Sequence, residues 1–204
     1  MRKKDLAAIT NFIYEAGILS KTPRSGLWYL GSGEQSVAEH SLRCAYIGYA
    51  LAYLTSGADR EKVVMMCLFH DFAEARTSDL NHMHQKYGRL AEARAMDDIA
   101  KSVPFGKTIR ALYRERDERK TVEAKIAKDA DQLEWIATMR EEEIKGNTKA
   151  LMWAKLTYKR LKTKAGKDVG KYLLTTHPDD WWFDAKDQWW VNPHAVKKKD
   201  GKNT

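Results

Sequence analysis

The sequence predicts an all-α bundle of about six or more helices, and two observations carry that expectation. Apolar residues recur at helical spacing in one stretch after another, while alternating apolar runs of useful length, which would mark strands, are absent. Start and stop signals bracket the periodic stretches: Ser36 and Thr121 read as N-caps, and Gly57, Pro104 and Gly146 as stops. With 204 residues the chain can bury one substantial core, and two full domains are not expected.

Taken in order, a first helix should turn Leu6, Ile9, Ile13 and Ala16 inward. Residues 21–35 read as a loop with Pro23 and three glycines, and this loop carries Arg24 and Trp28. Ser36-Val37-Ala38-Glu39 is a capping box. The helix it opens places Val37, His40, Cys44, Ile47, Leu51 and Leu54 on one face. The next helix is expected to run unbroken from Glu61 to Ala75, which contain neither Gly nor Pro. One of its stripes is Val63, Cys67, His70 and Glu74, and the neighbouring one is Val64, Leu68 and Asp71.

Beyond Asp79, the irregular segment LNHMHQKYG supplies His82, His84, Lys86 and Tyr87. Leu90 to Val103 should form a helix, and Ile109, Leu112 and Tyr113 a short one, before the charge run RERDERK, read as solvated surface. Thr121 then opens a long helix whose inward stripe is Ala127, Asp131, Trp135 and Thr138. Asp129, on a face with Lys125 and Gln132, is expected in solvent. A further amphipathic helix covers Leu151 to Leu161. Residues 1–165 are thus the expected domain, with 166–204 a Trp-rich extension and basic tail packed on it. Four of the seven tryptophans fall in HPDDWWFDAKDQWW, read as an aromatic flap on the domain or on a neighbouring subunit rather than a lid that stacks on a base.

The net charge of +8, from 36 Lys+Arg against 28 Asp+Glu, attracts polyanions or small phosphorylated molecules without choosing between them. Part of the excess sits in the tail KKKDGKNT, expected to be a disordered end. No apolar run approaches the roughly 20 residues needed to span a bilayer, so no membrane partner is expected. Cys44 and Cys67 both fall on apolar stripes, as buried free thiols would, and a cytoplasmic location is expected.

The chemistry lies in polar residues on apolar stripes. His40, His70 with Asp71, and Asp131 occupy inward positions on three separate helices. Buried imidazoles and carboxylates are costly unless they are paired or bind a metal. Two imidazoles and two carboxylates suit a divalent metal with open positions for water; two buried His–Asp pairs without metal are the other reading of the same residues.

These motifs resemble those of the HD-domain metal-dependent phosphohydrolases, which carry H…HD…D on the helices of an α bundle. SVAEHS around His40, LFHDFAEA around His70-Asp71 and KDADQ around Asp131 match in order. The likeness is closest to the branch containing 5′-deoxynucleotidases and covers about Leu6 to Glu143, leaving the Trp-rich end outside. It implies that His40, His70, Asp71 and Asp131 hold a divalent metal (Mn, Co, Fe, Ni, Zn or Mg). Glu74 would activate water and Asp79 assist the leaving oxygen. Arg24 would contact phosphate, with Trp28 and Lys86 as further substrate-binding candidates. The implied reaction is hydrolysis of a deoxyribonucleoside 5′-monophosphate by a homodimer. Where the family has Gly-Asp this chain has Ser78-Asp79. His82 and His84 read first as surface loop histidines; they also fall where some relatives place ligands for a second metal, which would suit a deoxynucleoside triphosphate triphosphohydrolase or a cyclic-dinucleotide reaction, and a (p)ppGpp hydrolase is a third reading. A nucleic-acid-binding scaffold without catalysis is the non-enzyme alternative, and the intact ligand set and Glu74 weigh against it.

Overall fold

The computed structural model describes residues 2–193 and is all-α, with no strand among them. The basic tail and its expected disorder lie outside the described residues. In chain order the helices are α1 (Lys3–Ile18), α2 (Gly26–Leu30), α3 (Val37–Tyr53), α4 (Arg60–Phe69), α5 (Glu74–Thr77), α6 (Glu92–Ser102), α7 (Gly106–Glu118), α8 (Val122–Ile144), α9 (Thr148–Tyr158) and α10 (Lys164–Leu173). None is long and apolar enough to cross a membrane. The chain divides into two compact units, Met1–Leu174 and Thr175–Thr204. The expected boundary at residue 165 falls inside α10, which packs on α8 and α9 in the first unit.

The predicted caps are present. Ser36 accepts from the Glu39 amide while the Glu39 carboxylate accepts from the Ser36 amide, and Thr121 accepts from the Ala124 amide. At the centre lies α8, with α3, α4, α7, α9 and α10 packed around it. Gly48 lets α3 and α4 close together: a Cβ there would lie 2.8 Å from the Cys67 Sγ and 3.0 Å from a Val63 methyl. The larger core gathers Leu51, Val63, Met66, Leu133, Ile136 and Met139 from these helices. A smaller one joins Val37, Phe72, Met96, Ile99 and Ile109. Each fully buried side chain of this size contributes about 1.5–3 kcal/mol. His40 sits on α3 between Val37 of the smaller core and Cys44 of the larger, so the polar centre is embedded where the two meet.

Five expectations need correction. Leu54, expected on the inner face of α3, is 58% exposed because that helix ends at Tyr53. The first helix turns Ala8, Ile9, Phe12 and Ala16 inward, while Leu6 and Ile13 are exposed, Ile13 by 63%. Phe12 sets this rotation by stacking on Phe72 at 5.0 Å. The helix through the second motif is not continuous. It ends at Phe69, the chain turns through residues 70–73, and amides of Phe72, Glu74 and Ala75 bond to carbonyls three residues back. That tightening re-aims Asp71 and Glu74 without any Gly or Pro. The charge run RERDERK is largely helical, and α7 buries Arg116. Asp129 is 1% exposed, since α8 has neighbours on nearly every side.

The second unit, described to residue 193, is a set of turns held by aromatic contacts. Trp190 meets Trp182, Phe183 and Trp189 with ring centroids 4.8–5.6 Å apart, and the Trp182 indole N–H donates to Asp179.

Candidate active site

Four predicted residues converge on one point. The Nε2 atoms of His40 and His70 are 3.2 Å apart. Asp71 Oδ2 lies 3.0 Å from the His70 Nε2 and 3.5 Å from that of His40, and Asp131 Oδ1 lies 3.5 Å from His40 Nε2. Helix α3 supplies the first, the end of α4 and its turn the next two, and α8 the last.

The far side of each imidazole decides what the near side can do. His70 Nδ1 faces the Cys67 carbonyl at 2.7 Å, and a carbonyl only accepts, so that nitrogen carries the proton. His40 Nδ1 donates to Glu134 Oε2 at 2.5 Å. Burial alone would raise the Glu134 pKa, but hydrogen bonds and charge from His40, together with Arg43 and Gln35, hold it down at about 2. In its neutral form each ring turns a bare Nε2 lone pair toward the other ring and toward Asp71, and that of His40 faces Asp131 as well. Lone pairs so arranged repel unless a cation sits among them, and such backing hydrogen bonds are what metal-ligating histidines use.

Charge states agree with that reading. Burial opposes ionisation of Asp71, yet His70, His40 and Arg24 hold its pKa well below the usual carboxylate range. Asp131 is likewise depressed against burial by Lys128, His40, His70 and Arg116. For His40, burial and Arg24 oppose a further proton while Asp131 and Glu134 favour it, and the balance is upward. The centre calls for positive charge. The donor set fits a divalent cation.

Cys44 is also close, with Sγ within 4.8 Å of ligand atoms on His40, His70 and Asp131. It stands 3.5 Å from His40 Nε2 and 3.8 Å from Nδ1, so it lies over the ring rather than in line with the lone pair. Burial and the nearby carboxylates raise its pKa well above the usual thiol value. Cys44 completes the cluster with His40, His70 and Asp131, and Asp71 reaches both imidazoles; an ionised carboxylate is a better donor to a divalent cation than a protonated thiol, which favours Asp71 as the fourth donor.

In front of the centre is a cavity of about 200 Å³ lined by Arg24, Glu74, Asp79, Arg116, Lys128 and Trp135, among others. Glu74 is buried and its Oε2 has no hydrogen-bond partner within the protein. Burial and the adjacent Asp71 and Asp79 push its pKa up to about 11. Arg24 reaches Asp71 at 3.3 Å, lies over the Trp135 ring at 5.8 Å, and leaves Nε unpartnered. Asp79 Oδ2 accepts from the Ser25 amide at 2.7 Å, tying the loop after α5 to the loop before α2. Ser78 adopts φ 67° and ψ 169°, a conformation suited to glycine, so the turn keeps the glycine geometry with a serine in place.

Not every candidate joins the cavity. Trp28 is 62% exposed and lines a neighbouring groove that shares Arg24. Lys86 lines an adjoining pocket. His82 faces the cavity with its ring against Arg160 at 3.0 Å. His84 does not, being held by Asn81 at 3.0 Å and Tyr29 at 3.4 Å.

Residues absent from the expectation complete the site. Glu134 is wholly buried and also accepts from Gln35 and twice from Arg43. Arg116 and Lys128 both reach Asp131 Oδ2, at 2.9 and 2.6 Å. Two of these positions, Arg116 and Glu134, carried a signal. Ile109, Leu112 and Arg116 continue one stripe, as do Ala127, Ala130 and Glu134.

A family model described as "HD domain" matches residues 16–172. The chain belongs to the HD domain family. It is similar to the 5'-deoxynucleotidase hdd1 of Schizosaccharomyces pombe, 29% identical over 139 residues that span 63% of this chain and 69% of that protein. The 5'-deoxynucleotidase HDDC2 of Homo sapiens is 27% identical over 67% of this chain and 69% of its own length. Among solved structures, a "Predicted metal-dependent phosphohydrolase" from Magnetospirillum magnetotacticum MS-1 matches with a TM-score of 0.68 and 25% identity, over 84% of this chain and 94% of that one.

Proposed function

We propose that this HD-type hydrolase removes the 5′-phosphate from deoxyribonucleoside monophosphates, yielding nucleoside and orthophosphate. The observation that carries the proposal is the ring of His40, His70, Asp71 and Asp131 with Glu74 beside it, in a chain similar to two 5'-deoxynucleotidases. When bound, a divalent cation lowers the pKa of water and polarises a phosphoryl oxygen. Its identity among Mn, Co, Fe, Ni, Zn and Mg follows geometry and availability.

The chain's own residues do the rest. Arg24, charged and buried, clamps the phosphate through its guanidinium fork. Glu74 would take the proton of the attacking water as a carboxylate, a form that burial beside Asp71 and Asp79 disfavours and that the charge of a bound cation nearby would favour. The P–O5′ bond breaks as the new P–O bond forms, and the departing oxygen receives the proton that Glu74 took from water, with Asp79, steadied by the Ser25 amide, assisting its transfer. Arg116 and Lys128 offset the charge on Asp131 and add positive potential to the cavity. The protein acts as a homodimer in this reading, supported by an exposed stripe of Leu42, Tyr46, Tyr49 and Tyr53 along α3.

The test is phosphate release from dAMP, AMP, dATP and ppGpp after chelation and addition of Mn²⁺ or Co²⁺. Orthophosphate from dAMP, with little from AMP, is expected. Triphosphate from dATP would instead identify a triphosphohydrolase, and pyrophosphate from ppGpp an alarmone hydrolase. Salt-dependent binding of single strands without turnover would favour the scaffold reading.

A further inference from the structure

A second cavity, of about 310 Å³, adjoins the catalytic one and is lined by Tyr29, Met83, Trp135, Trp153, Leu156 and Thr157, among others. The two share Gly26, Asn81, His82, Trp135 and Arg160 as common wall. They differ in chemistry. The catalytic cavity is lined by carboxylates and cations, the second mainly by aromatic and aliphatic side chains. A nucleotide has the same division, a charged phosphate at one end and a planar, weakly polar ring at the other.

We infer that this second cavity is the nucleobase subsite, with Trp135 at the junction and Trp153 on α9 as its stacking walls. The assignment rests on the nucleotide-hydrolase reading above, and adds where and by what forces the base is held. The Trp135 indole is seated by close approach of α2: a Cβ on Gly26 would lie 3.1 Å from its Cη2. The same indole carries the Arg24 guanidinium at 5.8 Å, so one side chain bridges the phosphate clamp and the base pocket.

The polar groups of the pocket point to how the base is read. Asn81 is consumed by the fold: its Nδ2 donates to the Ser25 carbonyl and hydroxyl and to His84, and its Oδ1 accepts from the Met83 and His84 amides. Arg160 is engaged with His82. Stacking, which every base offers, is then the main hold on the base, with Lys86 and Thr157 as further polar side chains of the lining.

The test uses the full chain loaded with Mn²⁺ or Co²⁺ and compares two substrates that share the phosphate, dAMP and the base-free 2-deoxyribose 5-phosphate. Trp153 and Leu156 line the second cavity and not the catalytic one, so Trp153→Ala strips a wall and Leu156→Trp fills the space. Each is expected to lower the ratio of kcat/KM for dAMP to that for 2-deoxyribose 5-phosphate by about 10-fold, mainly through KM, as loss of one base–aromatic stack implies. If dAMP is hydrolysed and neither variant moves that ratio, the base binds elsewhere and the inference is overturned while the hydrolase reading stands. If no phosphate is released from any substrate, binding of deoxyadenosine measured by calorimetry decides the pocket independently. Binding that Trp153→Ala weakens supports it, and absence of binding overturns it.

Discussion

The two aspartates of KDAD are two residues apart on α8, both buried, and put to opposite uses. Asp129 faces the junction between α9 and α10 and accepts from the Lys162 and Thr163 amides and the Thr163 hydroxyl at 2.7–3.1 Å. Its partners are mostly backbone groups with no other acceptor, so it serves as a structural pin. Asp131 gives one oxygen to Arg116 and Lys128 and turns the other toward His40. Burial therefore does not distinguish a candidate ligand carboxylate from a structural one. What the second oxygen faces does.

That contrast can be broken at several points. Asp131→Ala should abolish metal binding and lower phosphatase activity by about 10³-fold or more, measured by phosphate release against metal content. Glu74→Gln should retain metal yet lose about 10²–10⁴-fold in kcat. The same substitution should stabilise the chelated protein at pH 8. Glu74 has a folded pKa raised from 4.5 to about 11, so its penalty on folding grows as pH rises above the unfolded value, and a neutral amide removes that penalty. Thermal melts of chelated wild type and variant across pH check the sign.

Glu134→Gln sharpens the comparison from behind His40. Loss of the charged acceptor should weaken metal affinity about 10–100-fold, read by competition with a chelating dye. Because the Glu134 pKa falls from 4.5 to about 2 on folding, its stabilisation is present above pH 4.5 and lost on descent toward pH 2. That contribution is roughly 3 kcal/mol, and acid unfolding of the variant should lack it. Asp129→Ala should leave metal binding intact and cost about 2–3 kcal/mol in denaturant titrations, since buried amides lose their acceptor. The smallest effect belongs to Ser78→Gly, which relieves a positive φ and should stabilise by about 1 kcal/mol.

Much of this was legible in the sequence, for reasons that can be stated. His40, His70, Asp71 and Asp131 stood out because each interrupts an apolar stripe, and stripes survive folding when one face of a helix is buried. Asp129 and Glu134 were missed because α8 is enclosed on nearly all sides, so no single stripe marks its interior. Ile126, Asp129, Leu133 and Ile136 form a second inward row as regular as the first. Arg116 was hidden by its charged neighbours, which are exposed on the same helix while it points inward. The break after Phe69 had no sequence mark, because hydrogen bonds rather than Gly or Pro make it. Trp28 and Trp135 differ in how far the sequence placed them: Trp28, carried over with Arg24 from the family likeness, faces outward, whereas Trp135, read inward one turn beyond Asp131, lines the cavity.

The central claim is that side chains from α3, the α4 end and α8 hold one cation. The most direct measurement is metal content per chain after chelation and reloading with Mn²⁺ or Co²⁺, for wild type, Asp129→Ala and Asp131→Ala. One ion in the first two and none in the third is expected. An Asp131→Ala protein that binds metal with wild-type affinity would contradict the account.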